Sequence, residues 1–260
     1  MSAEPVAASD PTLRRPSAVF LGLLGLCAVG GWMVWAGSSH LRLTVFVFVV
    51  TGWLVSLCLH EYAHALVAYH AGDTSVAAKG YLTLNPLKYS DAGLSIALPV
   101  LFVLLGGIGF PGGAVWIDRG RIRGRLRHSL VSAAGPLVNV VLALAALIAV
   151  GRAGQHAGEH LAFWAALAFL AYLQVTASLL NLLPVPGLDG FAIWEPWLPR
   201  GLVRAVGQVA GVGFFVLFGL LLVPSVNHAF FDVIDNVVDA FGVPPYLVHL
   251  GDSLFRFWAS

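Results

Sequence analysis

The charges of this 260-residue chain are gathered into short clusters, and between them lie six stretches without a single Asp, Glu, Lys or Arg: Pro16 to Leu41, Leu43 to His60, Ala92 to Ile117, His128 to Gly151, His160 to Leu188 and Ala205 to Phe231. A helix crosses the hydrocarbon core of a bilayer with roughly 17 to 25 apolar residues, so several of these stretches are long enough to do so. Charged residues make up only 10% of the chain, where a soluble domain carries about 25%. A water-soluble single domain is excluded. With 14 Lys and Arg against 13 Asp and Glu, no contiguous basic field exists outside one short loop, which excludes nucleic acid as a partner. Cys27 and Cys58 are the only thiols, and both lie in apolar stretches. A disulfide framework and a cysteine zinc site are excluded as well.

The fold class expected is an all-α polytopic membrane protein with about five transmembrane helices, a re-entrant segment and a short membrane-surface β element. Residues 1–16 read as a disordered cytoplasmic tail, 17–225 as one integral membrane domain, and 226–260 as an amphipathic C-terminal segment. The apolar run after Arg14 and Arg15 is longer than the roughly 7 to 15 residues of a signal-peptide core, so Ser17 to Gly37 is taken as a retained first span. A second helix, about Leu41 to Ala71, is long enough to exceed the bilayer core and emerge at one end. Between Thr74 and Asp91, turn residues and partial alternation suit one or two short strands at the membrane surface, with an irregular loop as the other reading. A last span runs from about Leu202 to Val223. After it, Asp232, Asp235 and Asp239 stand at helical spacing opposite Phe231, Ile234 and Val238, as in an amphipathic helix on the outer surface.

The chemistry lies in the second helix. His60-Glu61-Tyr62-Ala63-His64 is an H-E-x-x-H pattern, which on a helix presents both imidazoles on one face with the Glu beside the ion they bind. Two histidines are half of a tetrahedral zinc site, and a catalytic site adds a third protein ligand and an open position for water. Glu61 is placed to accept a proton as that water attacks a peptide carbonyl, then to return it to the leaving amine. Ionisable groups inside a span are costly and mark function by default. An inverted pattern, H-x-x-E-H, occurs at His156 to His160, but it sits in a polar break after Gly151 and Gly154 with an internal Gly158, and reads as a solvent-facing loop.

A third ligand must come from elsewhere. Asp189 is the only acidic residue between Glu159 and Glu195, and it ends a run from Asn181 that holds Pro184, Pro186 and Gly187. That run breaks the helix, and irregular backbone at membrane depth is tolerated only when buried in protein or lining a cavity. A zinc ion offset by Glu61 and Asp189, with two neutral imidazoles, sums to formal zero.

His60 to His64, the stretch Ala134-Gly135-Pro136-Leu137-Val138-Asn139, and Asn181-Leu182-Leu183-Pro184 through Leu188-Asp189-Gly190 together resemble the site-2 protease family of intramembrane zinc metalloproteases. Leu84-Asn85-Pro86-Leu87-Lys88, leading to Asp91 and Gly93, is similar to the compact members without PDZ or CBS domains. The resemblance covers about Val45 to Pro196. It implies one zinc ion per chain held by His60, His64 and Asp189, Glu61 as catalytic base, and a transmembrane-helix protein substrate cut within or beside the bilayer, as in regulated intramembrane proteolysis. It further implies that Asn139 and Asn181 position substrate or shape the site. Either asparagine is equally suited to capping a backbone group freed where Pro136 or Pro184 interrupts a helix.

The three ligands can meet only at one membrane depth. If Leu94 to Phe110 crossed the bilayer, Asp189 would emerge roughly 30 Å from the histidines. A segment that dips in and returns brings Asp189 to their side. It also puts 11 Lys and Arg inside against 3 outside, where a full crossing gives 6 against 8, and the positive-inside rule favours the first. Arg119 to Arg127 then form a cytoplasmic loop that meets anionic headgroups, and the expected location is a multi-pass protein of the bacterial cell membrane with its N-terminus in the cytoplasm. The strand expected near Tyr81 to Leu84 is suited to pairing with an unwound substrate by strand addition. The rival function is a membrane metal-ion transporter using the same His and Asp ligands.

Overall fold

The computed structural model describes residues 15–89, 115–154, 158–207 and 210–258. Ten α-helices occur among them: α1 (Ala18–Trp35), α2 (Leu41–Ala71), α3 (Ser75–Ala78), α4 (Arg125–Ala153), α5 (Leu161–Leu182), α6 (Asp189–Trp194), α7 (Arg200–Gly207), α8 (Ala210–Leu221), α9 (Pro224–Ala240) and α10 (Pro245–Phe255). Four of these stretches are long and apolar enough to cross a membrane: α1, α2, α4 and α5 with the short turn before it.

Local sequence accounts for their ends. Ser17 starts α1 by accepting a hydrogen bond from the Phe20 N–H at 3.2 Å, which satisfies one of the donors a helix N-terminus leaves free. Helix α2 ends at Gly72, whose φ of 121° few side chains tolerate. Pro184 and Pro186 follow α5, and Leu183 is already extended, as expected of residues before proline. Hydroxyls inside the spans bond to their own helix: the Thr51 hydroxyl, for instance, donates to the Val47 carbonyl at 2.6 Å.

Packing fixes the helix directions. Phe48 stacks on Phe163 near the starts of α2 and α5, and His60 and Asp189 meet near their ends, so α2 and α5 run parallel. Helix α4 runs against α2, since His64 touches Val131 and His60 touches Asn139. One core joins Val45, Val49, Trp53, Leu147, Phe169 and Leu173 to Leu247 and Phe255 of α10. A second core, at the end where the histidines lie, holds Ala65, Ala68, Val76, Tyr81, Leu82, Ile122 and Val131. On the outside of the bundle, α1 exposes Leu21, Leu26, Val29 and Trp32, while α4 exposes Leu130, Leu137 and Val141. These are surfaces that hydrocarbon covers at no cost.

One sequence expectation changes. No strand occurs among the described residues. Tyr81–Thr83 is a 3₁₀ turn, bounded by Gly80 and Leu84 in the left-handed region at φ 78° and 57°. Tyr81 and Leu82 are both buried under α2, which neighbouring side chains on a strand do not do, because they point to opposite faces. Within the expected fifth span, helix is described over Arg200–Gly207 and Ala210–Leu221, with residues 208–209 between them outside the described set. The expected re-entrant window, 92–117, lies outside it too, apart from its last three residues. Its flanks are nevertheless informative: the Asp118 N–H donates to Asp73 Oδ2 at 2.7 Å. Asp118 thus lies at the same end of the bundle as the close of α2.

Candidate metal centre

The parallel course of α2 and α5, with the break after α5, brings three side chains to one point. His60 Nε2 and His64 Nε2 are 3.1 Å apart, and each lies 3.3 Å from Asp189 Oδ2. Tetrahedral zinc with ligand bonds of 2.0 to 2.2 Å separates its ligand atoms by about 3.3 to 3.6 Å. The triangle found is close to one face of such a tetrahedron, and no other group of three His, Cys, Asp or Glu with ligand atoms so close occurs among the described residues.

The outer nitrogens decide the tautomers. His64 Nδ1 lies 2.7 Å from the Val131 carbonyl oxygen, which can only accept, so Nδ1 carries the proton. His60 Nδ1 lies 3.3 Å from Asn139 Oδ1 and donates to it likewise. Both Nε2 lone pairs therefore point inward at a carboxylate oxygen, three electron-rich atoms in mutual contact. A cation relieves that repulsion, and outer partners of this kind are how proteins orient imidazole ligands.

Space for an ion comes from a residue that holds nothing. A Cβ on Gly135 of α4 would collide with both His64 Nε2 and His60 Nε2. The next residue, Pro136, lies inside the helix and has no N–H for the i−4 carbonyl, that of Ser132. Gly190 serves the other wall: a Cβ there would strike the carbonyls of Leu182 and Leu183, so its absence lets α6 dock on the end of α5 and deliver Asp189.

Glu61 is buried beside this triangle, with Oε1 3.9 Å from His60 Nε2. Its other oxygen, Oε2, accepts a hydrogen bond from the Val115 N–H at 3.0 Å. Residues 115–118 pass beside it outside any helix, with Asp118 extended. They form one wall of a cavity of about 850 Å³ that also reaches His60, His64, Asn181 and Asp189. Asn181 lines this cavity directly, whereas Asn139 reaches the centre through His60. Across the mouth, Arg119 pairs with Glu195.

The inverted motif is elsewhere. His160 stacks on Trp35 with ring centroids 3.6 Å apart and its Nδ1 lies 2.9 Å from the Trp35 carbonyl oxygen. It pins the end of α1 to the start of α5, and His156 lies outside the described residues. What the sequence did not single out is the wall itself: a backbone N–H such as that of Val115 leaves no mark in a residue pattern.

Curated relatives share nearly the whole chain. It is 46% identical over 250 residues to a protein of Mycolicibacterium smegmatis named "Putative zinc metalloprotease Rip2", covering 95% of each. The protein of that name from Mycobacterium tuberculosis is 48% identical over 249 residues, which is 94% of this chain and 95% of the relative. A Bacillus subtilis protein, "Putative zinc metalloprotease YwhC", is 30% identical over 198 residues, 74% of this chain and 88% of its own. No family model and no solved structure matches the chain.

Proposed function

The chain belongs to the site-2 protease family of zinc metalloproteases, and from that premise we propose that it hydrolyses peptide bonds within or next to transmembrane helices of membrane-protein substrates. The observation that carries this reading is the convergence of His60, His64 and Asp189 beside a buried Glu61, between helices whose outer faces are hydrocarbon.

His60, His64 and Asp189 hold the zinc in this reading. When bound, the metal polarises a peptide carbonyl and makes water in its open position acidic near neutral pH. The side chains do the rest. Asn139 and Val131 keep both imidazoles in the tautomer that offers Nε2. Glu61 Oε2 is held by Val115, so Oε1 is the oxygen turned toward the metal ligands. Oε1 is the atom that takes the proton from the attacking water and passes it to the leaving amine. Asn181, on the cavity wall, is placed to hold a substrate backbone group. Substrate enters as an unwound segment, because a helix keeps its carbonyls in internal hydrogen bonds. The backbone that faces it is the run 115–118 on the cavity wall, since in the stretch Tyr81 to Leu84, where a pairing strand was expected, Tyr81 and Leu82 are buried under α2.

In this reading the protein is a multi-pass protein of a bacterial cell membrane. Its N-terminal tail is cytoplasmic, residues 17–225 form the protease domain and 226–260 an outer amphipathic segment, with the centre toward the cytoplasm. A metal transporter with the same ligands needs no proton acceptor beside them, so Glu61 separates the two. Purified Glu61→Gln is expected to keep its zinc and to lose at least about 100-fold in cleavage of a synthetic transmembrane peptide bearing a fluorophore and quencher, as general-base removal does. Cleavage at the wild-type rate would sink the proposal.

A further inference from the structure

We infer that Asp73 is a positioning residue for the catalytic base, acting through the run 115–118. The inference rests on the reading of Glu61 as that base.

Asp73 follows the last residues of α2 and is fully buried. It makes no ion pair within salt-bridge distance among the described residues. Burying a carboxylate without a cation is costly unless hydrogen bonds satisfy it. Here Oδ1 accepts from the Ser75 N–H at 3.0 Å and from the Ser75 hydroxyl at 2.6 Å. These are the bonds of a local turn, which Asn makes as well. The second oxygen does something a turn does not require: Oδ2 accepts from the Asp118 N–H at 2.7 Å, 45 residues away. Asn in this place has one acceptor oxygen and cannot serve both ends. The acid is needed for the distant contact.

That contact holds one end of a short stiff run. Lys79 Nζ donates to the Trp116 carbonyl at 2.9 Å in its middle, and Val115 and Ile117 pack on the inner core. At the far end, the Val115 N–H donates to Glu61 Oε2. Four residues reach at most about 10 Å between first and last Cα even when fully extended, too short to absorb a shift at 118 before it arrives at 115. Asp73 therefore fixes, through the backbone, which oxygen of Glu61 faces the metal ligands.

The experiment uses the detergent-solubilised full chain loaded with zinc, the fluorophore-quencher peptide, and amide hydrogen exchange. In Asp73→Asn, kcat per zinc-loaded molecule is expected to fall about 10- to 100-fold, as small misplacements of reacting groups do. KM should stay within about twofold and zinc content should not change, while amides of residues 115–118 exchange at least about tenfold faster. Unchanged exchange would overturn the anchor, and unchanged kcat per zinc-loaded molecule would overturn the positioning role. Should Asp73→Asn not fold, Lys79→Met removes the middle anchor of the same run and must lower kcat without loss of zinc. A Glu61→Gln control separates the two failures. Turnover surviving there removes the base and this inference together, whereas a dead Glu61→Gln beside a fully active, folded Asp73→Asn removes the inference alone.

Discussion

At Gly135 the absence of a side chain is the functional feature, since a methyl group would occupy the volume in front of both imidazole Nε2 atoms. Gly135→Ala is expected to keep the helix, because Ala favours one more than Gly does, and yet to lower zinc affinity by more than about 100-fold, beyond the cost of disturbing an outer partner. Zinc analysis alongside circular dichroism checks this; an Ala variant with full zinc would remove Gly135 from the site. The ligands themselves were legible in the residues. The spacing of His60, Glu61 and His64 states a helix face, and Asp189 is the lone acid of an apolar stretch. Gly135 was visible only as part of a longer motif, because a glycine kept for its emptiness reads the same as one kept for its flexibility. Asp73 carries no such mark in the sequence, since its second bond reaches a backbone N–H with no signature of its own.

Among the elements, the break between α5 and α6 does what no helix can, ending one apolar span and turning an acid back beside another. Two prolines announce the break, but its course depends on Gly190 lying against the Leu182 and Leu183 carbonyls. In Gly190→Val, α6 has to lift away and carry Asp189 with it. Zinc binding is expected to weaken more than about 100-fold and peptide cleavage to fall with it, measured by metal titration and the fluorogenic assay; near-normal zinc affinity would mean that α6 is docked by other contacts. The region 74–89 shows the limit of pattern reading at this scale. Its turn residues were correctly placed, but partial alternation is shared by short strands and by 3₁₀ turns, and only burial of both Tyr81 and Leu82 under α2 tells them apart.

For the whole molecule the question is which ends share a side of the membrane. The centre requires the ends of α2 and α5 and the start of α4 to lie together, and Gly120 then lies on the side opposite Gly158, whose turn leads into α5. With the native cysteines replaced, Gly120→Cys is expected to react with an impermeant thiol reagent only from the cytoplasm and Gly158→Cys only from outside. Labelling of Gly120→Cys from outside would reverse the orientation. Composition and charge-free windows determined by themselves that the chain belongs in a membrane, because hydrocarbon tolerates few charges and the few that remain inside it need a reason. The H-E-x-x-H spacing likewise determined the metal chemistry, since ligand geometry is local to one helix. The tertiary structure alone decided that Gly135 clears the space before the imidazoles and that a backbone wall bonded to Asp73 meets Glu61, and it brought Asp189, already singled out in the sequence, to the two histidines. Each of these is a contact between residues far apart in the chain, and it exists only once the helices have packed.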